Sequence, residues 1–161
     1  MDYPVLFLDI DGVLNTHTKL ATGYCGIDRE RASVLNFILF EVPDLKIVIS
    51  SAWRYLILRG DMTLKGFEYL LLVHGVACTD RLHGHTEADP VIEPCHFDAE
   101  TWRVGGLSWR ADQILKYVQT HRIERYAVVD DLDLRVPNFV RTDDAVGLRP
   151  EDAERLIRLL K

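Results

Sequence analysis

Residues 5–14 read VLFLDIDGVL. The apolar run from Val5 to Leu8 leads straight into Asp9, and Asp11 follows after one more apolar residue. A segment this apolar is expected to be a central strand of a sheet covered on both faces. A carboxylate at the end of such a strand is costly unless it is paired, protonated or bound to a cation. Gly12 lets the backbone turn away there. Both acids are therefore expected at the C-terminal end of the strand, where open α/β sheets hold their ligands.

The same kind of segment recurs along the chain. LKIVIS (45–50) is rich in β-branched residues, RYAVVDD (125–131) again ends in two acids, and NFVRT (138–142) and DRLHGHT (80–86) are shorter strand candidates. Helical patterns separate them. Asp28 is a candidate cap for a helix with Ala32, Leu35, Ile38 and Leu39 on one face, and Asp61 for a second with Leu64, Phe67, Leu70 and Leu71 inward. A third follows Ser108, with Ala111, Ile114, Leu115 and Val118 as its stripe. The last has Pro150 in its first turn with Glu151 and Asp152 just after, then Leu156, Ile157 and Leu160. Alternating strands and helices indicate an α/β chain with a Rossmann-like, doubly wound, mostly parallel sheet and helices on both faces. Residues 1–161 read as a single domain. The stretch 75–107, rich in Gly, His, Pro and acids, is expected to be an irregular loop overhanging the site. Neither it nor the short segment between Asp11 and the second strand offers room for a full cap domain.

Composition narrows the class. The chain has 161 residues, 48% hydrophobic and 27% charged, enough for one well-packed core. A formal net charge of −6 speaks against a general basic footprint for nucleic acid. The three cysteines, Cys25, Cys78 and Cys95, form no close-spaced set, which favours free thiols in a reducing compartment. No basic leader precedes the first strand, and no apolar run approaches bilayer length, so a cytoplasmic protein that binds no membrane is expected.

Four polar signals fall at the ends of these elements: Asp9 and Asp11 after the first strand, Ser50 and Ser51 after the second, Arg110 early in the third helix, and Asp130 and Asp131 after a later strand. In a doubly wound sheet these positions converge on one edge. Their order resembles the haloacid dehalogenase-like (HAD) phosphatase superfamily, with LFLDIDGVL, KIVISS, Arg110 and AVVDD in the places of its four motifs, across about residues 4–148. LDIDGVLN, SSAWR, RADQILKYV, VVDDLD and VGLRPEDAERL look more narrowly like the HAD domain of Swiss Army Knife RNA-repair proteins.

Carboxylates suit Mg²⁺, a hard ion that takes oxygen ligands, and Asp9, Asp11, Asp130 and Asp131 are the candidate ligands, with Asp130 favoured over Asp131. A carboxylate can also attack phosphorus and form an aspartyl-phosphate. The resemblance assigns that attack to Asp9, acid–base work to Asp11, a hydrogen bond to the phosphoryl group to Ser50, and charge compensation to Arg110. Arg103 and Arg54 are the alternatives to Arg110. Gly12, Ser51 and Arg54 are candidate substrate contacts, and Trp53 is either a stacking surface or core. Cys78, His83, His85, Cys95 and His96 could supply a zinc site, although their spacing matches no standard finger. The expected substrate is a phosphomonoester, either a small molecule or a nucleotide or nucleic-acid end. A catalytically inactive binding module and a phosphotransferase use the same residues. A phosphorylated receiver domain would need the adjacent acids first and a late Lys, which is the reverse of the order seen here.

Overall fold

The computed structural model describes residues 3–16, 26–87 and 99–161, with side chains from 109 onward in the last span. Strands β1 (Val5–Leu8), β2 (Lys46–Ile49), β3 (Leu82–His85), β4 (Tyr126–Asp130) and β5 (Phe139–Arg141) form one sheet, ordered β3-β2-β1-β4-β5. Every pairing in it is parallel. The helices are α1 (Arg29–Glu41), the short α2 (Tyr55–Leu58), α3 (Leu64–Val73), α4 (Ala99–His121) and α5 (Pro150–Leu160). The described residues build no second sheet.

Strand β1 shows why the fold closes. Its four side chains are fully buried. Leu6 and Leu8 join Ile47, Ile49, Ala127 and Val129 in a core filled by Leu35 and Ile38 of α1, Phe67 and Leu71 of α3, and Leu156 and Leu160 of α5. Val5 and Phe7 join Val48 and Val128 on the other face, against Ala111 and Ile114 of α4. Side chains alternate across a strand, so an unbroken apolar run is needed when both faces are covered.

Local chemistry sets the helix ends. Asp28 caps α1, its Oδ1 accepting from the Glu30 amide at 3.0 Å. Asp152 accepts from the Arg149 amide at 3.1 Å and closes the first turn of α5 behind Pro150. Two expectations need correction. The cap of α3 is Thr63, whose Oγ1 accepts from Gly66 N at 3.0 Å, and not Asp61. The strand expected within 80–86 forms as β3, but helix α4 begins at Ala99 rather than after Ser108, so the end of the stretch 75–107 is helical and not irregular, and residues 88–98 of it lie outside the described residues. Gly105 and Gly106, weak helix formers, had interrupted the apolar period.

The turn after β1 is fastened from a distance. Val13 O accepts from Leu148 N at 2.8 Å, and Gly147, at φ +76°, would place a Cβ 2.9 Å from that same carbonyl. Gly147→Ala is therefore expected to cost on the order of 1–3 kcal/mol, from the left-handed backbone and the clash together. Urea denaturation would show it as a lower midpoint at unchanged slope.

Candidate active site

The ladder continues one residue past the strands. Asp9 N donates to Val129 O at 3.1 Å, Ser50 N to Leu8 O at 3.1 Å, and Thr86 N to Ile49 O at 3.0 Å. Leu8 pairs with both Ile49 and Val129, so Asp9, Ser50 and Asp130 stand abreast. The two-residue pleat puts them on the Phe7–Val48–Val128 face, under α4. The chain also reverses its order here, with β2 on one side of β1 and β4 on the other. Asp9 and Asp130 thus flank the switch point where such sheets bind ligands.

Arg110 descends from α4 onto these acids. Its Nη1 lies 2.7 Å from Asp130 Oδ2 and 3.2 Å from Asp9 Oδ2, with all three residues buried. Burial disfavours the charged guanidinium, but the carboxylates of Asp9, Asp130 and Asp131 outweigh it and the net shift is upward. Asp130 is pushed in the unfavourable direction. Burial, and then Asp9, raise its pKa, against the opposing pull of Arg110 and the Leu132 amide at 2.9 Å. One guanidinium does not neutralise this cluster.

Asp9, Asp130 and Asp131 each offer an oxygen within 4.8 Å of the others, the one such grouping of three or more metal-ligating side chains among the described residues. Mg²⁺ takes carboxylate oxygens as ligands, so these three side chains are the ones that could hold it. Hard oxygen donors and unbalanced negative charge both fit that ion. Gly12 makes the grouping possible. At φ +77° it would place a Cβ 2.7 Å from Asp131 Cγ.

The remaining candidates separate by how they are committed. Asp11, half-buried, stands outside the three-acid group. Its Oδ2 accepts from Trp53 Nε1 at 2.9 Å and its Oδ1 from Asn15 Nδ2 at 2.8 Å. Ser50 Oγ is buried without a hydrogen-bond partner, whereas Ser51 Oγ caps the turn Ala52–Arg54 through Trp53 N at 3.3 Å. Gly12 N donates to Asn15 Oδ1 and Gly12 O accepts from Thr142 Oγ1, so both its peptide groups serve the protein. Arg54, a candidate substrate contact, is only 2% exposed, and its guanidinium is engaged with protein groups. It donates to Ser50 O and Ser51 O at 2.9 Å, and to Glu87 O and Gln113 Oε1 at 3.1 Å. It braces the ends of β2 and β3 against α4. Arg103, Cys95 and His96 lie outside the described residues or side chains. Of the other zinc candidates, Cys78 is buried under α3, with its thiol pushed up to about 11 by burial and then Glu68. His83 is bonded to the Tyr3 hydroxyl and His85 to Thr86 O.

Two residues here are not marked by the motifs, and a third has an added role. Asn15 stands three positions after Gly12, a spacing that lets its side chain close the turn, which is the signal the sequence offers. Trp53, a stacking or core candidate in the sequence, packs against the core and also donates to Asp11. Thr86 follows β3 beside Ser50, and its Oγ1 is also buried without a partner. Nothing in DRLHGHT marks it out.

The chain matches, over residues 5–153, the family described as the HAD domain in Swiss Army Knife RNA repair proteins. The chain belongs to this family. No curated protein and no solved structure matched it. Membership agrees with the parallel sheet and with the order of motifs, and it suggests a phosphatase-like function. No helix among the described residues is long and apolar enough to cross a membrane.

Two outcomes follow from this geometry. Saturating Mg²⁺ is expected to raise the melting temperature, by the equivalent of about 2.7 kcal/mol at a hundredfold excess over Kd, and Asp130→Asn should abolish most of that rise in differential scanning calorimetry. Thr86→Val removes a buried, unpaired hydroxyl at nearly constant volume, so in urea denaturation it should be neutral or stabilising by about 1 kcal/mol.

Proposed function

We propose that this HAD domain is a Mg²⁺-dependent phosphomonoester hydrolase acting through an aspartyl-phosphate on Asp9. The observation that carries the reading is the cluster of Asp9, Asp130, Asp131 and Arg110, with the unpartnered Ser50 hydroxyl directly beside Asp9. An Asp9 oxygen attacks phosphorus, the bond to the ester oxygen breaks, and Asp11 gives that oxygen its proton. A water then attacks phosphorus, Asp11 takes up a proton from it, and phosphate leaves Asp9 free. Ser50 donates to a phosphoryl oxygen, and Arg110 holds Asp9 in place while offsetting developing charge. Bound at Asp9, Asp130 and Asp131, Mg²⁺ would supply the positive charge that the cluster lacks and orient the phosphoryl group.

We take the substrate to be a phosphate at a nucleotide or nucleic-acid end. The RNA repair named in the family description supports this, as does a site flanked by a single sheet among the described residues. We place the protein in the cytoplasm, for which the unbridged Cys78 speaks.

With Mg²⁺, purified protein is expected to release phosphate from an aryl phosphate and from 5′- or 3′-phosphorylated oligonucleotides. Asp9→Asn or a chelator should lower the rate at least a thousandfold, as loss of a covalent nucleophile does. Release that persists in Asp9→Asn would overturn the role of Asp9. A product phosphorylated on a non-water acceptor would make the enzyme a phosphotransferase, and no turnover of any ester would leave a binding module.

A further inference from the structure

The Asp11 carboxylate is held by two side chains to which nothing above gives a role in the reaction. The Trp53 indole N–H is 2.9 Å from Oδ2 and the Asn15 amide is 2.8 Å from Oδ1, one donor to each oxygen. Both donors are themselves fixed. The Trp53 ring meets Phe67 edge to face, with centroids 6.4 Å apart and planes at 89°, and its residue is the middle one of the turn Ala52–Arg54, where its amide donates to the capping Ser51 Oγ after β2. Asn15 is fully buried, accepts from Gly12 N at 3.0 Å and donates to Gly26 O at 3.3 Å. Asp11 itself lies beyond the last ladder bond of β1. The turn there is closed by Val13 N and Leu14 N on Ile10 O, and neither bond touches the Asp11 side chain.

We infer that Trp53 and Asn15 are positioning residues for Asp11, fixing the acid–base carboxylate in rotation and place, and that Trp53 does so from the strand end that also carries Ser50. The inference rests on the hydrolase reading. Its physical content is that a carboxylate on a turn has two free torsions, and a proton donor must reach the leaving oxygen at hydrogen-bond distance. One N–H donor alone would leave the plane of the carboxylate free to turn. Two donors, one on each oxygen and from different elements, stop that rotation. The indole also ties the position of Asp11 to that of Ser50, three residues before it on the same strand end, so acid–base group and phosphoryl donor keep one spacing. Asp9 needs no such support, because the Arg110 guanidinium already holds it at 3.2 Å.

Trp53→Phe deletes the N–H and keeps an aromatic ring against Phe67. With Mg²⁺ present, kcat for an alkyl phosphate, whose leaving oxygen needs a proton, is expected to fall about tenfold with KM unchanged within about twofold. The burst of p-nitrophenol from its phosphate ester should be nearly unaltered, because that oxygen leaves without protonation. In an Asp11→Ala background, Trp53→Phe should cause no further fall in the residual kcat for the alkyl phosphate, since no carboxylate remains to be held. Equal slowing of alkyl and aryl esters, or additive effects in the double variant, would make Trp53 a packing residue and overturn the inference. An independent readout needs no turnover. The Trp53 indole N–H resonance, identified by its loss in Trp53→Phe, is expected to shift and to exchange faster in Asp11→Ala. An unmoved resonance overturns the contact itself. A wild type that hydrolyses no ester while this resonance moves would sink the hydrolase reading, and with it the catalytic role, but would leave the contact standing.

Discussion

The Arg110 guanidinium stands between two buried carboxylates, 2.7 Å from Asp130 and 3.2 Å from Asp9, and the arrangement of the protein follows from keeping it there. Two like charges on adjacent strand ends repel strongly where water is excluded, and leaving one of them unpaired would cost several kcal/mol. The cation must come from a helix lying over the face to which both acids point. That helix is α4, and its packing against Phe7, Val48 and Val128 decides whether Arg110 arrives. Core packing on one face of the sheet is thus the mechanical support of the ion cluster. The opposite face, under α1, α3 and α5, supplies stability without touching the acids.

Around the cluster, side chains divide by whether their hydrogen-bonding capacity is already used. Arg54, Ser51, Thr142 and both peptide groups of Gly12 are spent on the protein's own carbonyls and amides. They hold strand ends and turns in register. Ser50 and Thr86 keep buried hydroxyls that meet no hydrogen-bonding group among the described residues. Native structures rarely tolerate such atoms without cause, and a polar ligand is one cause. The geometry therefore distinguishes scaffold from candidate ligand contacts within a few residues of sequence, as Ser50 and Ser51 show side by side.

Much of this was legible in the sequence, and the failures have physical reasons. The continuous apolar runs at 5–8, 47–49 and 126–129 read as buried strands, so the parallel sheet and the placing of Asp9, Ser50 and Asp130 on one edge followed from period and order. Motif order singles out Arg110 from Arg54 and Arg103. What could not be read was commitment. Arg54 looks like a solvent-seeking cation in SSAWR, and only the fold brings the carbonyls of residues 50, 51 and 87 around it. The start of α4 was hidden because adjacent glycines interrupt an amphipathic period without stopping a helix that tertiary packing supports. The cap of α3 was misplaced by two residues, since Asp61 and Thr63 both suit an N-cap and local sequence does not choose between them.

The D-x-D-G motif also gains a sharper physical sense. Were β1 to continue straight, the two-residue period would bring Asp9 and Asp11 to the same face and into the same electrostatic setting. The chain instead turns after Ile10, whose carbonyl takes two amide donors, and Gly12 adopts a left-handed backbone that admits Asp131. The turn sends the two acids into different company. Asp9 stays in the buried row, against a fixed cation and two further carboxylates. Asp11 leaves it for an indole and an amide, neutral donors that orient a carboxylate without adding charge beside it. A group that must attack phosphorus gains from a neighbour that compensates charge. A group that must both give and accept a proton gains from being held still by neighbours that do not compete for it. One residue of separation, followed by a glycine, is enough to give two identical side chains these two settings.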